Sequence, residues 1–366
     1  MSNILKNIIL FPLSWLYGIA TNIRNWLYDN GLLPSTSFKK PIIVIGNLAV
    51  GGTGKTPHVE YVAEILSKDH NTAILSRGYK RKTTGFLIAD EKANSQTIGD
   101  EPYQMYRKTK KTTVAVCEDR VNGINKLLKR EPNTEVIILD DGFQHRKLKP
   151  GLTILLTDYH NLYSKDYLLP AGTLRESTFN SIRADIIIVT KCPKDIKPID
   201  MRVIETELNP KAFQSLFFSQ IAYDEIQTVC SEQDQEEWML TKIKDLNASI
   251  LLVTGIASPK EMIDYLETYT DKIQKLTFPD HHHFGKQDAK KIESKFESIA
   301  DENKLIICTE KDAARIISNT YFCEELKQQI YYLPIHISII KQEKLLTQKI
   351  TNYVAENTRN SQFPKV

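Results

Sequence analysis

Short and nearly uninterrupted apolar runs alternate with polar segments along the first two thirds of the chain. The runs occupy residues 72–75, 113–116, 136–139, 153–156 and 186–189. Runs of this kind are typical of strands that are buried on both faces of a parallel sheet. Between them, residues 59–66 repeat their apolar positions at helical spacing. The alternation predicts a doubly wound, mostly parallel α/β domain.

The pattern changes near residue 213 and then resumes. Residues 213–245 are polar and mixed, and they include the acidic run 231–237, which is typical of a solvated linker. Strand-like runs return at 250–255 and 305–309. We therefore expect four parts: an N-terminal hydrophobic or amphipathic helix at 1–36, a larger α/β domain at 37–212, a linker at 213–245, and a smaller α/β domain at 246–366 that closes a cleft.

The first 36 residues contain an apolar stretch that Pro12, Ser14 and Gly18 interrupt. The stretch is shorter than the roughly 20 apolar residues that a membrane-spanning helix needs, and it lacks the cleavage site of a signal peptide. From Leu13 onward the apolar positions follow helical spacing, with aromatic residues beside them at Trp15, Tyr17, Trp26 and Tyr28. Two interpretations stay open: a helix at the headgroup level of a bilayer, or a helix docked on its own domain.

A glycine-rich loop follows the apolar run at 41–45 and precedes the helical pattern. Its residues are Ala49, Val50, Gly51, Gly52, Thr53, Gly54, Lys55 and Thr56. Strand, loop and helix in this order are the context of a phosphate-binding P-loop, although Ala49 replaces the usual first glycine. Lys55 would reach the β- and γ-phosphates, and the Thr56 hydroxyl would ligate Mg²⁺. An ordinary glycine-rich turn would leave Lys55 and Thr56 unexplained, so we predict a nucleoside triphosphate site.

Two aspartates follow the aliphatic run at 136–139. Asp140 and Asp141 would lie at the carboxyl end of that strand, where ligands bind in open α/β sheets. Asp140 is the stronger candidate for Mg²⁺, and Asp141 is a second ligand or an electrostatic partner. The alternative is a plain turn after a strand.

Three further strings place polar residues in predicted loops, where binding residues concentrate. They are L-S-R-G-Y at 75–79, G-D-E-P at 99–102 and P-A-G-T-L-R-E at 170–176. A histidine cluster, F-P-D-H-H-H-F, stands at 278–284. The cluster is explained by an exposed polar loop or by an adventitious metal site. A structural zinc site would need further cysteine or histidine ligands nearby.

Composition and charge give no indication of a nucleic-acid-binding or a disulfide-rich protein. The chain has 48 lysine and arginine residues against 45 acidic residues, so its charge of +3 gives no general sign of nucleic-acid binding. Its five cysteines form no C-x-x-C pair, which favours buried free thiols in a reducing compartment over a disulfide framework.

Taken in sequence order, the strings G-G-T-G-K-T-P, L-S-R-G-Y, G-D-E-P, D-D-G-F-Q-H, P-A-G-x-L-R-E and F-P-D-H-H resemble the tetraacyldisaccharide 4'-kinase family of Gram-negative bacteria. The resemblance extends from about residue 13 to 312. It implies an ATP- and Mg²⁺-dependent kinase that phosphorylates the 4'-hydroxyl of tetraacyldisaccharide 1-phosphate to form lipid IVA. It also implies a peripheral or shallowly inserted enzyme at the cytoplasmic face of the inner membrane, with no nucleic acid and no obligate protein partner.

The resemblance also assigns roles to individual residues. Asp100 matches the family's catalytic base, and His281, which directly follows Asp280, matches its partner across the cleft. His282 and His283 would be bystanders. The remaining matched residues comprise two that neutralise phosphate charge, Lys55 and Arg175, and a set that lines the substrate cleft: Ser76, Arg77, Tyr79, Gln144, His145 and Glu176.

Two readings of other classes compete with a kinase. A P-loop GTPase that acts as a switch or a metal-insertion chaperone would share the loop and the aspartates. Guanine selection usually rests on [NT]-K-x-D, however, and residues 190–193 read T-K-C-P without that aspartate. A docked structural protein without catalysis is disfavoured because Lys55, Thr56, Asp100 and Asp140 are all present.

Overall fold

The computed structural model of the chain describes residues 3–230, 238–256, 258–280 and 282–362. Within these ranges the strands form two sheets, one of nine strands and one of five. The predicted class, a doubly wound and mostly parallel α/β fold with a second, smaller α/β part, is confirmed. The acidic run at 231–237 and His281 lie outside the described residues.

Fourteen strands occur in the described residues, and all the apolar runs chosen from the sequence are among them. They are β1 (Ile42–Asn47), β2 (Thr72–Ser76), β3 (Leu87–Ile88), β4 (Thr113–Val116), β5 (Val136–Asp140), β6 (Leu152–Asp158), β7 (Ile186–Thr190), β8 (Ser215–Tyr223), β9 (Gln227–Thr228), β10 (Ser249–Thr254), β11 (Ile273–Thr277), β12 (Lys304–Thr309), β13 (Ile330–Leu333) and β14 (Ile335–Ile340).

Twelve α-helices occur in the same part of the chain. They are α1 (Asn3–Asp29), α2 (Lys55–Leu66), α3 (Ser95–Ile98), α4 (Asp100–Lys108), α5 (Arg120–Arg130), α6 (Pro198–Leu208), α7 (Leu240–Asp245), α8 (Lys260–Leu266), α9 (Lys286–Glu297), α10 (Glu310–Ile316), α11 (Glu324–Gln328) and α12 (Glu343–Gln362). Two 3-10 helices, Tyr163–Lys165 and Thr178–Arg183, lie between β6 and β7.

The first sheet has the strand order β14-β8-β7-β6-β1-β5-β2-β4-β3. Its pairings are parallel except at the two edges, where β3 and β14 run antiparallel to their neighbours. The central strand β1 alternates its side chains between two cores. Ile43 and Ile45 pack with α2 on one face, and Ile42 and Val44 pack with α5 on the other. Helices therefore cover both faces, which explains why the strands read as continuous apolar runs.

The second sheet has the order β11-β10-β12-β13-β9 and is inserted between two strands of the first. The chain leaves the first sheet at the end of β8, Tyr223, and returns at the start of β14, Ile335, and these two residues are paired. The segment 213–245, expected as a linker, therefore contains β8 of the first sheet, and 335–362 of the expected C-terminal part returns to it. The cause is burial: Phe217 of β8 packs in the same core as Ile350 of α12.

Helix α1 docks on the first part with its small and polar residues. Ser14 and Asn25 are buried, whereas the large apolar residues of the helix face outward. The exposed set comprises Phe11, Leu13, Trp15, Leu16, Ile19, Ile23 and Trp26. Pro12 lies inside the helix rather than ending it. None of the helices in the described ranges has the length and apolarity needed to cross a membrane.

Candidate active site

The glycine-rich loop lies at the carboxyl end of β1 and leads directly into α2. Gly51 and Gly54 have φ angles of 109° and 79°, in the left-handed region that favours glycine. A Cβ atom added at Gly51 or Gly52 would meet no heavy atom within 4 Å, so there is open space beside the loop. Lys55 is the first residue of α2. The loop thus presents backbone N–H groups and a helix N-terminus, the features that bind phosphate.

Buried polar contacts fix the shape of this loop. Asn47 donates a hydrogen bond to the Thr53 hydroxyl at 2.8 Å and accepts one from Lys55 Nζ at 3.3 Å. The Nδ1 atom of His58 donates to the Gly54 carbonyl oxygen at 2.7 Å, and its Nε2 accepts from Ser219 at 2.9 Å. Burial lowers the pKa of His58 to about 4. The ring is therefore neutral near pH 7 and holds the loop against β8.

Asp140 ends β5, the strand next to β1, and its backbone is in register with Ile45. One carboxylate oxygen, Oδ2, accepts a hydrogen bond from Ser76 at 2.8 Å. The other, Oδ1, is buried and has no hydrogen-bond partner among the described residues. Burial, followed by the negative charges of Glu101 and Asp141, raises the pKa of Asp140 to about 6.

These features of Asp140 fit a cation. A buried acceptor without a partner is energetically costly, and a bound cation would satisfy it. Thr56, the second residue of α2, is also buried and carries a hydroxyl. Hydroxyl and carboxylate oxygens together with phosphate oxygens are the usual ligands of Mg²⁺. Among the described residues, no cluster of three or more His, Cys, Asp or Glu side chains forms an all-protein metal cage.

Asp141 forms ion pairs with two positively charged side chains, those of Arg175 and Lys55. Arg175 Nη1 lies 2.9 Å from Asp141 Oδ2, and Lys55 Nζ lies 3.8 Å from Oδ1. Burial alone would raise the pKa of Asp141, but Lys55 and Arg175 outweigh it and hold the pKa below its ordinary value. Asp141 is therefore ionised and pairs with Lys55 and Arg175 next to the glycine-rich loop.

A hydrogen-bond network connects the 170–176 string to α1. Glu176 is buried, and its carboxylate accepts hydrogen bonds from Asn25 at 2.8 Å, Gln144 at 2.9 Å and Arg183 at 2.6 Å. Tyr17 donates to the backbone carbonyl of Arg175 at 2.7 Å. The N-terminal helix thus contacts the string that carries Arg175.

His145 and Arg120 lie near the same aspartates. Burial and the positive charge of Arg120 lower the pKa of His145 to about 4, so its imidazole is neutral. Arg120 is itself buried and donates to the backbone carbonyl of Asp140 at 3.0 Å.

Asp100 is the first residue of α4, and Gly99 before it has a φ angle of 96°. A Cβ at Gly99 would lie 3.0 Å from the Tyr79 carbonyl oxygen, so this corner packs tightly on the L-S-R-G-Y loop. In the same string Ser76, the last residue of β2, donates a hydrogen bond to Asp140, whereas Arg77 and Tyr79 are exposed. Asp100 itself is buried, and its Oδ2 accepts a hydrogen bond from Arg315 Nε at 2.8 Å.

The histidine cluster is described only in part. His281 lies outside the described residues, so its pairing with Asp100 stays a prediction. His282 donates from Nε2 to Asp288 Oδ2 at 2.9 Å and stacks on Phe278 with 4.8 Å between ring centroids. His283 is exposed. His282 therefore contacts the first turn of α9 through Asp288.

Three residues of the site are missing from the sequence-based set. Asn25 falls on the helix assigned to the membrane, Arg120 starts an amphipathic helix, and Arg315 belongs to the second sheet's part of the chain. Asn25 lies on the side of α1 opposite the apolar stripe, with the buried Ser14, and could have been noticed as a polar residue there. No local pattern marks Arg120 or Arg315.

Comparison with known proteins gives a consistent result. The family model described as tetraacyldisaccharide-1-P 4'-kinase (LpxK) matches residues 6–355. The tetraacyldisaccharide 4'-kinase of Bacteroides thetaiotaomicron is 51% identical over 360 residues, covering 97% of this chain and 95% of the relative. The enzyme of the same name from Flavobacterium johnsoniae is 44% identical, covering 97% and 99%. A crystal structure of LpxK from Aquifex aeolicus in complex with ATP is 30% identical, covers 94% of this chain and 98% of that one, and superposes with a TM-score of 0.73.

Proposed function

Because this chain belongs to the tetraacyldisaccharide-1-P 4'-kinase family, we propose that it transfers the γ-phosphoryl group of ATP to the 4'-hydroxyl of tetraacyldisaccharide 1-phosphate, which yields lipid IVA. The observation that carries the proposal is the family match over residues 6–355, joined to the adjacent positions of the P-loop and Asp140 on neighbouring strands. The GTPase alternative is not favoured.

Phosphoryl transfer depends mainly on in-line placement and on neutralising charge, because the protein does little covalent chemistry. Lys55 and Arg175 supply positive charge, and both now contact Asp141. When the triphosphate enters, phosphate oxygens compete with Asp141 for the same donors. Before the triphosphate enters, Asp141 therefore holds the side chains of Lys55 and Arg175 in place and balances their positive charges.

Mg²⁺ would be held by the Asp140 carboxylate and the Thr56 hydroxyl, with Asp141 beside them. When bound, the ion supplies charge neutralisation at the phosphate oxygens. The support from the structure is the buried Oδ1 atom of Asp140, which has no partner within the described part of the chain, and the raised pKa of that carboxyl.

Asp100 would act as the general base toward the 4'-hydroxyl, and His281 would orient it. The location of Asp100 at the buried N-terminus of α4, against the L-S-R-G-Y loop, supports this role. Six polar residues of the matched strings would bind the sugar and its phosphate: Ser76, Arg77, Tyr79, Gln144, His145 and Glu176.

Helix α1 would bring the enzyme to the cytoplasmic face of the inner membrane, where the acylated substrate resides. Its polar side is occupied by contacts such as Ser14 with the Leu168 carbonyl at 2.9 Å. Its apolar side is largely exposed, with Trp15 at 68% and Leu16 at 57% exposure, although the ring of Phe11 contacts that of Tyr167. A helix that exposes apolar residues beside tryptophans suits the interfacial region of a bilayer.

The decisive experiment measures phosphoryl transfer from ATP or GTP to purified tetraacyldisaccharide 1-phosphate in detergent micelles. Lys55→Ala should lower kcat by about 10²-fold or more, because it removes a cation from the transferred phosphate. Lys68→Ala, on an exposed turn after α2, is the matched control and should retain activity. Asp140→Asn should weaken the response to Mg²⁺. Equal transfer by Lys55→Ala and wild type would refute the P-loop assignment.

The base assignment has its own test. Asp100→Ala should cost about 10²–10⁴-fold in kcat and leave ATP binding intact. His281→Ala should cost less, and the double variant should lose little more than Asp100→Ala, since groups that act as a unit are not additive. Additive losses would contradict the pairing.

The membrane assignment is tested by vesicle flotation. The triple variant Trp15→Ser, Leu16→Ser and Ile23→Ser should lower partitioning roughly tenfold or more, because burying each apolar side chain contributes about 1.5–3 kcal/mol. The control removes exposed apolar residues elsewhere, with Ile199→Ser and Val203→Ser on α6. Equal flotation of the triple variant and its control would remove α1 from the membrane contact.

A further inference from the structure

The segment Thr309–Arg315, T-E-K-D-A-A-R, carries four charged residues that the proposed chemistry does not use. It forms the end of β12 and the first two turns of α10, in the part of the chain that belongs to the second sheet. Helix α10 packs against α4, which begins with Asp100. Three ion pairs join the two helices: Asp100–Arg315, Glu101–Lys311 and Lys108–Glu310.

The Asp100–Arg315 pair differs from the other two in its burial. Its side chains are 6% and 2% exposed, whereas those of Glu101 and Lys311 are each 27% exposed. Two guanidinium nitrogens, Nε and Nη2, each lie 2.8 Å from Asp100 Oδ2. Both contacts are to the same oxygen, so the planar guanidinium restricts the position of Asp100 Oδ2 more than a single ammonium contact would.

Arg315 is itself held from behind by Asp312. The Nη1 atom of Arg315 lies 2.8 Å from Asp312 Oδ1, and Asp312 Oδ2 accepts hydrogen bonds from the Gly255 backbone at 2.8 Å and from Thr309 at 2.7 Å. A Cβ at Gly255 would lie 2.9 Å from Asp312 and 3.4 Å from the Pro279 carbonyl oxygen. The assembly therefore adjoins the loop that leads to the histidine cluster.

We propose that Arg315 is a positioning residue for phosphoryl transfer: it holds the Asp100 carboxylate in the orientation that meets the acceptor hydroxyl. Because Arg315 comes from the second sheet's part of the chain, a competent base forms only when that part is docked on α4. This inference rests on the proposed function, in which Asp100 is the base.

The physical argument concerns orientation and charge together. A carboxylate on the first turn of a helix has rotamer freedom, and a base that is displaced by about 1 Å can lose about 10²-fold in rate. The buried guanidinium removes that freedom. Its charge also favours the ionised carboxylate, which is the form that can accept a proton.

The main test compares Arg315→Gln with Arg315→Lys in the full-length enzyme, using ATP and tetraacyldisaccharide 1-phosphate. Arg315→Gln should lower kcat by about 10–10²-fold and leave the KM for ATP within about twofold, because the P-loop is untouched. The acid limb of its kcat profile should move to higher pH, since Asp100 loses a neighbouring cation. Arg315→Lys restores the charge and should restore the position of that limb, with part of the lost kcat.

Lys311→Gln is the matched control, because it removes an ion pair between the same two helices without touching Asp100. It should leave kcat and its pH profile near those of wild type. If Arg315→Gln does not fold, as judged by thermal unfolding, Asp312→Asn is the second variant. It keeps the Asp100–Arg315 pair but loses the charge that orients Arg315, so it should lower kcat and leave the KM for ATP unchanged.

The outcomes separate this inference from the proposed function. Absence of transfer by the wild-type enzyme would refute the proposed function itself. Transfer by wild type, loss in Asp100→Asn and unchanged kcat in a folded Arg315→Gln would refute only the role of Arg315. Equal losses in Arg315→Gln and Lys311→Gln would also overturn it, because they would indicate a general contribution of helix docking.

Discussion

The first and last helices of the chain have opposite relations to the protein on which they pack. In α12, Leu346, Ile350 and Val354 are fully buried in the core of the first sheet. In α1, the buried positions are polar or small, Ser14 and Asn25 among them, and the large apolar residues are exposed. Both helices are amphipathic, so periodicity alone predicts that an apolar face exists. Whether the apolar face is buried in the protein or exposed depends on which side of the helix packs on the rest of the chain.

The largest effect should come from the apolar side of α12. Leu346→Ala should lower the free energy of unfolding by about 2–5 kcal/mol, because the deleted side chain leaves a cavity in the core. Leu345→Ala is the control one position away, where the side chain is 42% exposed, and its effect should stay within about 0.5 kcal/mol. Urea denaturation measures both values. Equal effects would mean that the terminal helix is not part of the cooperative core.

The polar side of α1 should contribute less, but through a different interaction. Asn25→Ala removes a hydrogen bond to the buried Glu176 carboxylate at 2.8 Å, and it should cost about 1.5–3 kcal/mol. Asn22→Ala, on the exposed side of the same helix, is the control and should be nearly neutral. Thermal or urea unfolding would decide it. A neutral Asn25→Ala would mean that the docked side of α1 contributes no stability.

One polar contact of α12 allows a direct comparison with Asn25. The Tyr353 hydroxyl accepts a hydrogen bond from the Ile42 backbone N–H at 3.1 Å, at the start of β1. Tyr353→Phe should therefore cost about 1–2 kcal/mol, since it leaves a buried backbone donor unpaired. Asn352→Ala, on an exposed position, serves as the reference. A loss of several kcal/mol would show that polar contacts matter as much in α12 as in α1.

The smallest effect should come from the outer side of α1. Trp15→Ser should change the free energy of unfolding in lipid-free buffer by no more than about 0.5 kcal/mol, although a buried tryptophan would cost about 3–5 kcal/mol. Calorimetry in the absence of detergent measures this value. A loss above 1 kcal/mol would indicate that Trp15 packs on the protein, and it would remove the contrast with α12.

Much of the first sheet can be predicted from the sequence, because most of its strands are buried on both faces and can be recognised as apolar runs. Strand β8 does not form such a run, since only three of its nine residues are buried, Phe217, Phe218 and Ser219, and one of these is polar. The packing of α12 on the first sheet also cannot be predicted from its local sequence, because the residues that Ile350 contacts lie on strands far away in the chain.

The residues of the site show the same difference between local and long-range information. Lys55, Thr56 and Asp140 could be chosen because strand, loop and helix order fixes where they meet. Asp100 and Arg315 are 215 positions apart, and their contact depends on how the two sheets' parts pack. Periodicity carries no information on such a pairing.

The pairing of Tyr223 with Ile335 has a consequence for how the gene product can be divided. Two residues that face each other on antiparallel strands can be joined by a two-residue turn such as Asn-Gly. The whole second sheet could therefore be excised at one point of the backbone, and β8 and β14 would become an ordinary hairpin. The shortened protein would retain the P-loop, Asp140 and Asp100, but it would have no Arg315. The second part of the chain is thus a module whose ends meet, attached to a complete sheet.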